Sequence, residues 1–236
     1  MLLTASPARK FAQWAVNNLW NSRLTVISTR RFFPSSKSSR ASTRPHLFDL
    51  GWGTGACLAR LSDAGFVNLT GVDRNVETFD AHEFARFTPA DLMNGDLAQF
   101  QSESFGLVTA IEVIEHVANP ERIVEVAARC LAPRGWLMIT TPNIYSIRAR
   151  TRFLLTGSLD FFERQAAPDH IHPLVLGAFI RHILPRYPFR LERVWPYPAY
   201  GSSGSRWFAR AVARAMSVVL PNDLPGDTLC LLLRKT

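Results

Sequence analysis

The sequence predicts an α/β fold in which helices cover both faces of a parallel, doubly wound sheet. One observation is the stretch from residue 45 to 61, where an apolar run, a glycine-rich turn and a helix start follow one another. A second is the alternation of apolar runs with amphipathic segments up to residue 141. A third is the length of 236 residues with 47% hydrophobic content, enough for one sizeable domain.

Charge divides the chain into two parts. Residues 1–48 contain eight Lys or Arg and no Asp or Glu, whereas the other 19 basic residues are balanced by 19 acidic ones. The net charge of +8 therefore belongs to a basic extension, residues 1–44, and not to the domain at residues 45–236. A neutral domain without a basic stripe disfavours nucleic acid as a partner.

The basic extension has its own pattern. Residues 8–20 predict an amphipathic helix, and residues 34–45 form a polar linker. Packing of the helix on the domain edge is favoured slightly, with peripheral membrane contact or a mitochondrial transit segment as alternatives. Three scattered cysteines form neither a disulfide framework nor a metal motif, which favours a reducing, cytoplasmic setting.

The glycine-rich turn follows the first predicted strand, Leu47 to Leu50, which carries Asp49 near its end. Gly51, Gly53 and Gly55 alternate with other residues, and a helix begins at Ala56. Glycines let the backbone come close to a ligand that a Cβ would push away, and a helix start offers free N–H groups to an anion. The stretch therefore predicts a cofactor site.

The second strand, predicted from Phe66 to Val72, ends at Asp73. This carboxylate lies 20 residues after Gly53, close to the spacing at which cofactor-binding α/β domains place an acid on ribose hydroxyls. A third strand, at residues 87–92, includes Asp91 and Leu92, with Asp96–Leu97 as the alternative position for the third acidic site.

The remaining elements complete the alternation. We expect a turn at residues 133–135 and a lid insertion at about 144–172. The last two strands are expected to close the sheet as a hairpin. The further predicted strands and helices are a strand at 105–112, a helix from Pro120 to Leu131, a strand from Trp136 to Thr141, a helix from Pro173 to Leu184, a strand from Phe189 to Trp195, a helix at 206–220 and a strand from Thr228 to Leu233.

The spacing Asp49-x-Gly51-x-Gly53-x-Gly55 resembles the first motif of class I S-adenosylmethionine (SAM)-dependent methyltransferases. The resemblance implies a Rossmann-like sheet of seven strands with a C-terminal β-hairpin, and SAM as the cofactor. It assigns Asp49 and the three glycines to the methionine part and ribose of SAM. By the same resemblance Asp73 binds the ribose, and Asp91 and Leu92 lie near the adenine.

A second motif follows the fourth strand. Glu112, Glu115 and His116 stand at i, i+3 and i+4, which brings three ligating groups together if they share one helical turn. The motif is similar to that of the ubiquinone-biosynthesis O-methyltransferases (the methyltransferase type 11 group) and of small-RNA methyltransferases acting on a terminal ribose. In the latter these groups and a later histidine, matched here by His170, hold a divalent metal.

Two interpretations of this motif stay open. Glu112, Glu115, His116 and His170 either bind Mg²⁺, Mn²⁺ or Zn²⁺, or Glu115 and His116 only shape the pocket floor. Without a metal, His116 or His170 is the candidate general base, so Glu115, His116 and His170 are the catalytic candidates. Glu112 is also a candidate for SAM binding.

The expected function is O-methylation of a small-molecule or lipid-linked acceptor, entering between the fourth-strand loop and the lid. One alternative is a terminal-ribose RNA 2′-O-methyltransferase, which the neutral domain disfavours. Another is a non-catalytic protein of the same fold that binds a membrane or partner through residues 1–44, which the intact glycines and Asp73 disfavour.

Overall fold

The computed structural model describes residues 46–63, 65–75, 84–93, 99–100, 102–163, 169–197 and 226–236. In these residues one sheet has seven strands in the order β3-β2-β1-β4-β5-β7-β6, and the predicted Rossmann-like fold is confirmed. The strands are β1 Leu47–Leu50, β2 Leu69–Asp73, β3 Ala85–Pro89, β4 Phe105–Ile111, β5 Leu131–Pro142, β6 Phe189–Tyr197 and β7 Thr228–Lys235.

The direction of winding reverses at β1. Strands β1 to β5 run parallel to one another, with β2 on one side of β1 and β4 on the other. Such a reversal opens a crevice at the carboxyl ends of the strands, where α/β proteins bind their ligands. At the far edge, β7 runs antiparallel between β5 and β6 and forms the expected C-terminal pair with β6.

Strand β1 is buried along its whole length. The Phe48 ring stacks on Phe105 of β4 at a centroid distance of 4.7 Å and lies 4.5 Å from the Phe100 ring. A strand covered on both faces lacks the alternation of apolar and polar residues, and Leu47, Phe48 and Leu50 of β1 are all apolar. The core therefore holds the glycine turn on a rigid base.

The described residues include three helices of eight residues or more: α1 Ala56–Asp63, α2 Glu121–Cys130 and α3 Ile147–Thr156. Helix α3 lies within the predicted lid. The Ser146 hydroxyl caps its start by accepting from the Ala149 amide at 3.2 Å, and Gly157 ends it with a φ of +71°. The role of residues 144–172 as a lid stays a prediction.

Several predicted boundaries shift. The turn expected at 133–135 lies inside β5, because Phe105 pairs with Leu131 whereas Leu107 pairs with Trp136. The intervening residues form a bulge in which Arg134 has a φ of +64°. The predicted helix from Pro173 begins only at Leu176, where a helical segment combines α, π and 3-10 turns up to Arg186.

Some predictions fall on residues that the structure does not describe. These are the helix at 8–20, the linker at 34–45, Asp96–Leu97 and the helix at 206–220. Among the described helices, none has both the length and the apolar character needed to cross a bilayer.

Candidate active site

The glycine turn after β1 has a left-handed backbone. Gly51, Gly53 and Gly55 have φ values of +72°, +54° and +75°, which side-chain-bearing residues rarely adopt. A Cβ on Gly51 would lie 2.6 Å from Val113 Cγ2, so Gly51 allows close packing against the segment after β4. A Cβ on Gly53 would meet no atom of the described residues within 4 Å, so among these residues this side of the turn is open to a ligand.

Trp52 anchors the turn to the sheet, a role that the sequence analysis missed. Its ring stacks on Phe87 of β3 at 4.2 Å. A Cβ on Gly71 of β2 would lie 2.1 Å from Trp52 Cε3, so only glycine fits there. A bulky aromatic inside the glycine motif, with a glycine inside the next strand, is the signal that could have indicated this contact.

Asp49 lies beneath the turn. It is 1% exposed, and its Oδ1 accepts a 2.6 Å hydrogen bond from the Thr109 hydroxyl of β4. Burial raises the pKa of Asp49 to about 7, although the bond from Thr109 opposes this shift. In this position Asp49 joins β1 to β4 below the open face of the turn.

Asp73 stands at the end of β2 and contacts the glycine turn directly. Its Oδ2 accepts from the Gly53 amide at 3.0 Å and its Oδ1 from the Asn75 amide at 2.9 Å. A carboxylate has about four acceptor positions, so capacity remains for a ribose diol. Asp91 follows β3 and accepts from the Met93 amide at 2.8 Å, whereas Leu92 is buried in the core.

Glu112 departs from the predicted geometry. Glu112 follows the last residue of β4 and has a φ of +54°, so the extended backbone of the strand stops before it. The next helical turn is a 3-10 turn at Ile114–His116. The expectation that Glu112 shares one helical turn with Glu115 and His116 is therefore wrong. The Glu112 amide donates to the Thr140 hydroxyl at 3.0 Å. Burial raises the pKa of Glu112 to about 7, opposed by a hydrogen bond to Thr140.

Glu115 is completely buried, and neither of its carboxylate oxygens has a hydrogen-bond partner among the described residues. Burial raises its pKa well above the usual range, and the charge of Glu112 raises it further. The nearby Thr141 hydroxyl lowers the pKa of Glu115 and so opposes this shift, although the two groups are not aligned for a hydrogen bond. An unsatisfied buried carboxylate is costly, and a cation is one group that would satisfy it.

The two histidines are oriented in the same way. His116 Nδ1 lies 3.0 Å from the Asp169 carbonyl oxygen, and His170 Nδ1 lies 2.7 Å from the Phe161 carbonyl oxygen. A carbonyl can only accept, so each Nδ1 carries the hydrogen, and in a neutral ring Nε2 then has a free lone pair. Burial lowers the pKa of His170, and the nearby His116 lowers it further.

Glu115, His116 and His170 come together as a possible metal-binding group. One ligating atom from each lies within 4.8 Å of the others, and the two imidazole rings meet edge to face at 4.6 Å. The amides of Ile171 and His172 both donate to the Glu115 carbonyl, at 2.8 and 3.0 Å. These bonds bring the lid segment to the motif, whereas the Glu112 carboxylate lies outside the group.

The open glycine turn, the acids at the ends of β2 and β3 and the winding reversal at β1 define a cofactor-binding α/β enzyme. The model of the methyltransferase domain family matches residues 25–194. The chain therefore belongs to the methyltransferase domain family, and it is a class I SAM-dependent methyltransferase with SAM as its cofactor.

Curated relatives match over part of their length. A ubiquinone biosynthesis O-methyltransferase of Hydrogenovibrio crunogenus is 30% identical over 103 residues, 41% of this chain and 42% of that protein. One of Xanthomonas oryzae pv. oryzae is 46% identical over 94 residues, 37% of this chain and 38% of its own. A probable SAM-dependent methyltransferase of Mycobacterium tuberculosis is 30% identical over 150 residues, 60% of this chain and 49% of its own. The chain thus spans less than half the length of each.

Solved structures share the fold. A SAM-dependent methyltransferase from Archaeoglobus fulgidus superposes with a TM-score of 0.59 at 18% identity, covering 95% of this chain and 99% of its own. One from Mesorhizobium loti gives a TM-score of 0.52 at 17% identity, covering 89% and 96%.

Proposed function

We propose that this methyltransferase methylates a hydroxyl group of a small-molecule or lipid-linked acceptor, at a site built on Glu115, His116 and His170. The observation that carries the proposal is the shared orientation of the two imidazoles, each with Nδ1 on a backbone carbonyl. A neutral hydroxyl is a poor nucleophile and has to lose its proton. An imidazole whose Nε2 is unprotonated is suited to accept that proton.

The same residues fit a divalent metal. Glu115 offers a buried carboxylate without a hydrogen-bond partner among the described residues, and one ring nitrogen each of His116 and His170 lies within 4.8 Å. Because each Nδ1 lies on a backbone carbonyl, Nε2 is the nitrogen with a lone pair for a metal. Carbonyl partners on Nδ1 are the usual outer contacts of metal-binding histidines. A bound Mg²⁺, Mn²⁺ or Zn²⁺ would lower the pKa of an acceptor hydroxyl and orient it.

SAM, when bound, supplies the activated methyl group. The open face at Gly53 admits it, and Asp73 and Asp91 present carboxylates at the ends of β2 and β3. We propose that these residues hold the ribose and adenine, as the sequence resemblance implies. Orientation of the acceptor and exclusion of water then account for most of the rate enhancement.

The lipid-linked acceptor is supported by the surface of α3. Phe153, Leu154 and Leu155 are consecutive at the end of this helix and are 52%, 84% and 77% exposed. Exposed apolar side chains of this size often contact a lipid or a partner. The relatives named as ubiquinone biosynthesis O-methyltransferases also support methylation of an oxygen atom. We place this reaction in the cytoplasm, near a membrane.

The test is release of S-adenosylhomocysteine from SAM with acceptors of three classes. These are catechols with and without a polyprenyl tail, and a short RNA with a free terminal ribose. We expect turnover with a catechol, loss of at least about 100-fold in His116→Ala or His170→Ala, and little change in the exposed-site control Glu125→Gln. Turnover of the RNA alone would replace this proposal with the RNA alternative.

A further inference from the structure

Two ion pairs attach the turn at residues 159–163 to helix α3. Arg148 Nε lies 2.8 Å from Asp160 Oδ2 as an ion pair without hydrogen-bond alignment, and Arg152 pairs with Glu163. The two arginines are four positions apart and thus lie on one face of the helix. The Asp160 side chain is 10% exposed against 29% for Glu163, so solvent screens the Arg148–Asp160 pair less.

The residue after Asp160 has an unusual backbone. Phe161 has a φ of +70°, a conformation that a bulky side chain adopts only when its surroundings impose it. The Arg148 guanidinium lies 5.7 Å from the centre of the Phe161 ring and 3.9 Å from the Asp227 carboxylate. Arg148 therefore contacts both residues of the Asp160–Phe161 pair and also the segment before β7.

This backbone conformation determines where the Phe161 carbonyl points. Its oxygen lies 2.7 Å from His170 Nδ1, and the Phe162 ring lies 5.6 Å from the imidazole centre. A change of Phe161 from this left-handed conformation to a negative φ would move its carbonyl away from His170 Nδ1. His170 would then lose the backbone acceptor that favours a hydrogen on Nδ1 over a hydrogen on Nε2.

We propose that Asp160 is a positioning residue: held by Arg148, it maintains the left-handed Phe161 peptide, whose carbonyl selects the Nδ1–H tautomer of His170. The value of this tautomer for catalysis rests on the proposed function, because Nε2 has to be unprotonated to accept a proton or bind a metal. The tautomer itself can be measured without substrate, cofactor or metal.

The experiment uses the full chain with ¹⁵N-labelled histidine, metal-free and at pH 8. Long-range ¹H–¹⁵N correlation reports which ring nitrogen carries the hydrogen, and the His170→Gln variant assigns the signals. We expect one dominant Nδ1–H tautomer for His170 in the wild type and a mixture in Asp160→Asn. His116, whose Nδ1 faces Asp169, is the internal control and should not change.

Two further variants keep the test decisive. Glu192→Gln removes the exposed pair with Arg190 on β6 and should leave both histidines unchanged. If Asp160→Asn does not fold, Arg148→Gln tests the same contact from an arginine side chain that is 49% exposed. A dominant Nδ1–H tautomer of His170 in folded Asp160→Asn or Arg148→Gln, or an equal change at His116, would overturn the proposal.

Kinetics separate this proposal from the proposed function. If His170 serves the reaction, Asp160→Asn should lower kcat about tenfold or more with little change in the KM for SAM. A changed tautomer with unchanged turnover would support the positioning of His170 by Asp160 and reject a role of His170 in methyl transfer. An unchanged tautomer in Asp160→Asn, together with loss of turnover in His170→Ala, would reject the positioning by Asp160 and support the role of His170 in methyl transfer.

Discussion

The amide of Gly53 donates a 3.0 Å hydrogen bond to the carboxylate of Asp73, across 20 residues of sequence. This bond joins the glycine turn after β1 to the end of β2, so the two cofactor motifs form one unit. Because the other Asp73 oxygen accepts from the Asn75 amide, the carboxylate is held in a defined orientation at the crevice.

Replacement of Asp73 with alanine should weaken cofactor binding without unfolding the protein. The change removes a charged acceptor for ribose hydroxyls and the bond to Gly53, together about 1.5–3 kcal/mol. Titration calorimetry with S-adenosylhomocysteine should show about a 10- to 100-fold rise in Kd. Asp63→Ala, at an exposed position on the end of α1, is the matched control, and an equal loss there would contradict the assignment.

Alanine at two glycines of the turn should have different effects: Gly51→Ala should mainly lower the stability of the fold, and Gly53→Ala should mainly weaken cofactor binding. In Gly51→Ala the new Cβ lies 2.6 Å from Val113 Cγ2 at a φ of +72°, so the free energy of unfolding should fall by about 2 kcal/mol or more. In Gly53→Ala the Cβ meets no atom in the part of the chain that the structure describes, so only the cost of the positive φ, about 1 kcal/mol, should appear.

Calorimetric titration then distinguishes the two sites. Because the open face at Gly53 is where we place SAM, Gly53→Ala should lower affinity for S-adenosylhomocysteine at least about tenfold. Urea denaturation gives the stability of both variants. Normal binding by a folded Gly53→Ala protein would mean that the cofactor does not approach this face.

Asp49 should make the protein less stable as pH rises. Its pKa is about 7 in the folded state against 3.8 as the ordinary value, so the folded state binds the proton more tightly. The stabilisation is complete below pH 3.8 and is lost as pH rises through about 7. Between pH 5 and pH 8 this amounts to on the order of 2–3 kcal/mol.

Asp49→Asn tests this sign. The amide does not titrate, so the variant should gain stability relative to the wild type between pH 5 and pH 8, measured by urea denaturation at both values. Thr109→Val removes the hydrogen bond that opposes the shift and should move the transition of the wild-type Asp49 to higher pH. A pH-independent difference between wild type and Asp49→Asn would contradict the assignment.

In Glu115→Gln, added metal should no longer stabilise the protein against unfolding. In the metal-free protein the variant should be at least as stable as wild type at pH 7.5, because it neither buries a charge nor has to bind a proton. Wild type should gain about 2.7 kcal/mol from Mn²⁺ at 100 times its Kd, and the variant should gain far less. Thermal melts with and without Mn²⁺ measure both effects.

The matched control is Glu125→Gln, whose carboxylate is exposed and pairs with Arg122. It should keep the full response to Mn²⁺. An equal response in Glu115→Gln would show that the stabilising ion binds elsewhere. No response in the wild type would leave proton acceptance by His116 or His170 as the explanation of the site.

Local sequence determined the order of strands and helices, the glycine turn and the carboxylate at the end of β2. Short apolar runs, alternating glycines and helical periodicity reflect forces between near neighbours in the chain, so they can be recognised without a structure. The bulge in β5 was mistaken for a turn, because Pro133, Arg134 and Gly135 favour either one, and only pairing with β4 distinguishes the two.

Tertiary structure decided the chemistry of the site. Resemblance had pointed to His170, but its orientation depends on a Phe161 carbonyl that the ion pair of Asp160 with Arg148 holds in place. Glu112 has a left-handed backbone conformation, which keeps it out of the helical turn that contains Glu115 and His116. The spacing of the motif does not reveal this conformation. Burial, hydrogen bonding and pKa depend on atoms far apart in the chain, so only the folded arrangement determines them.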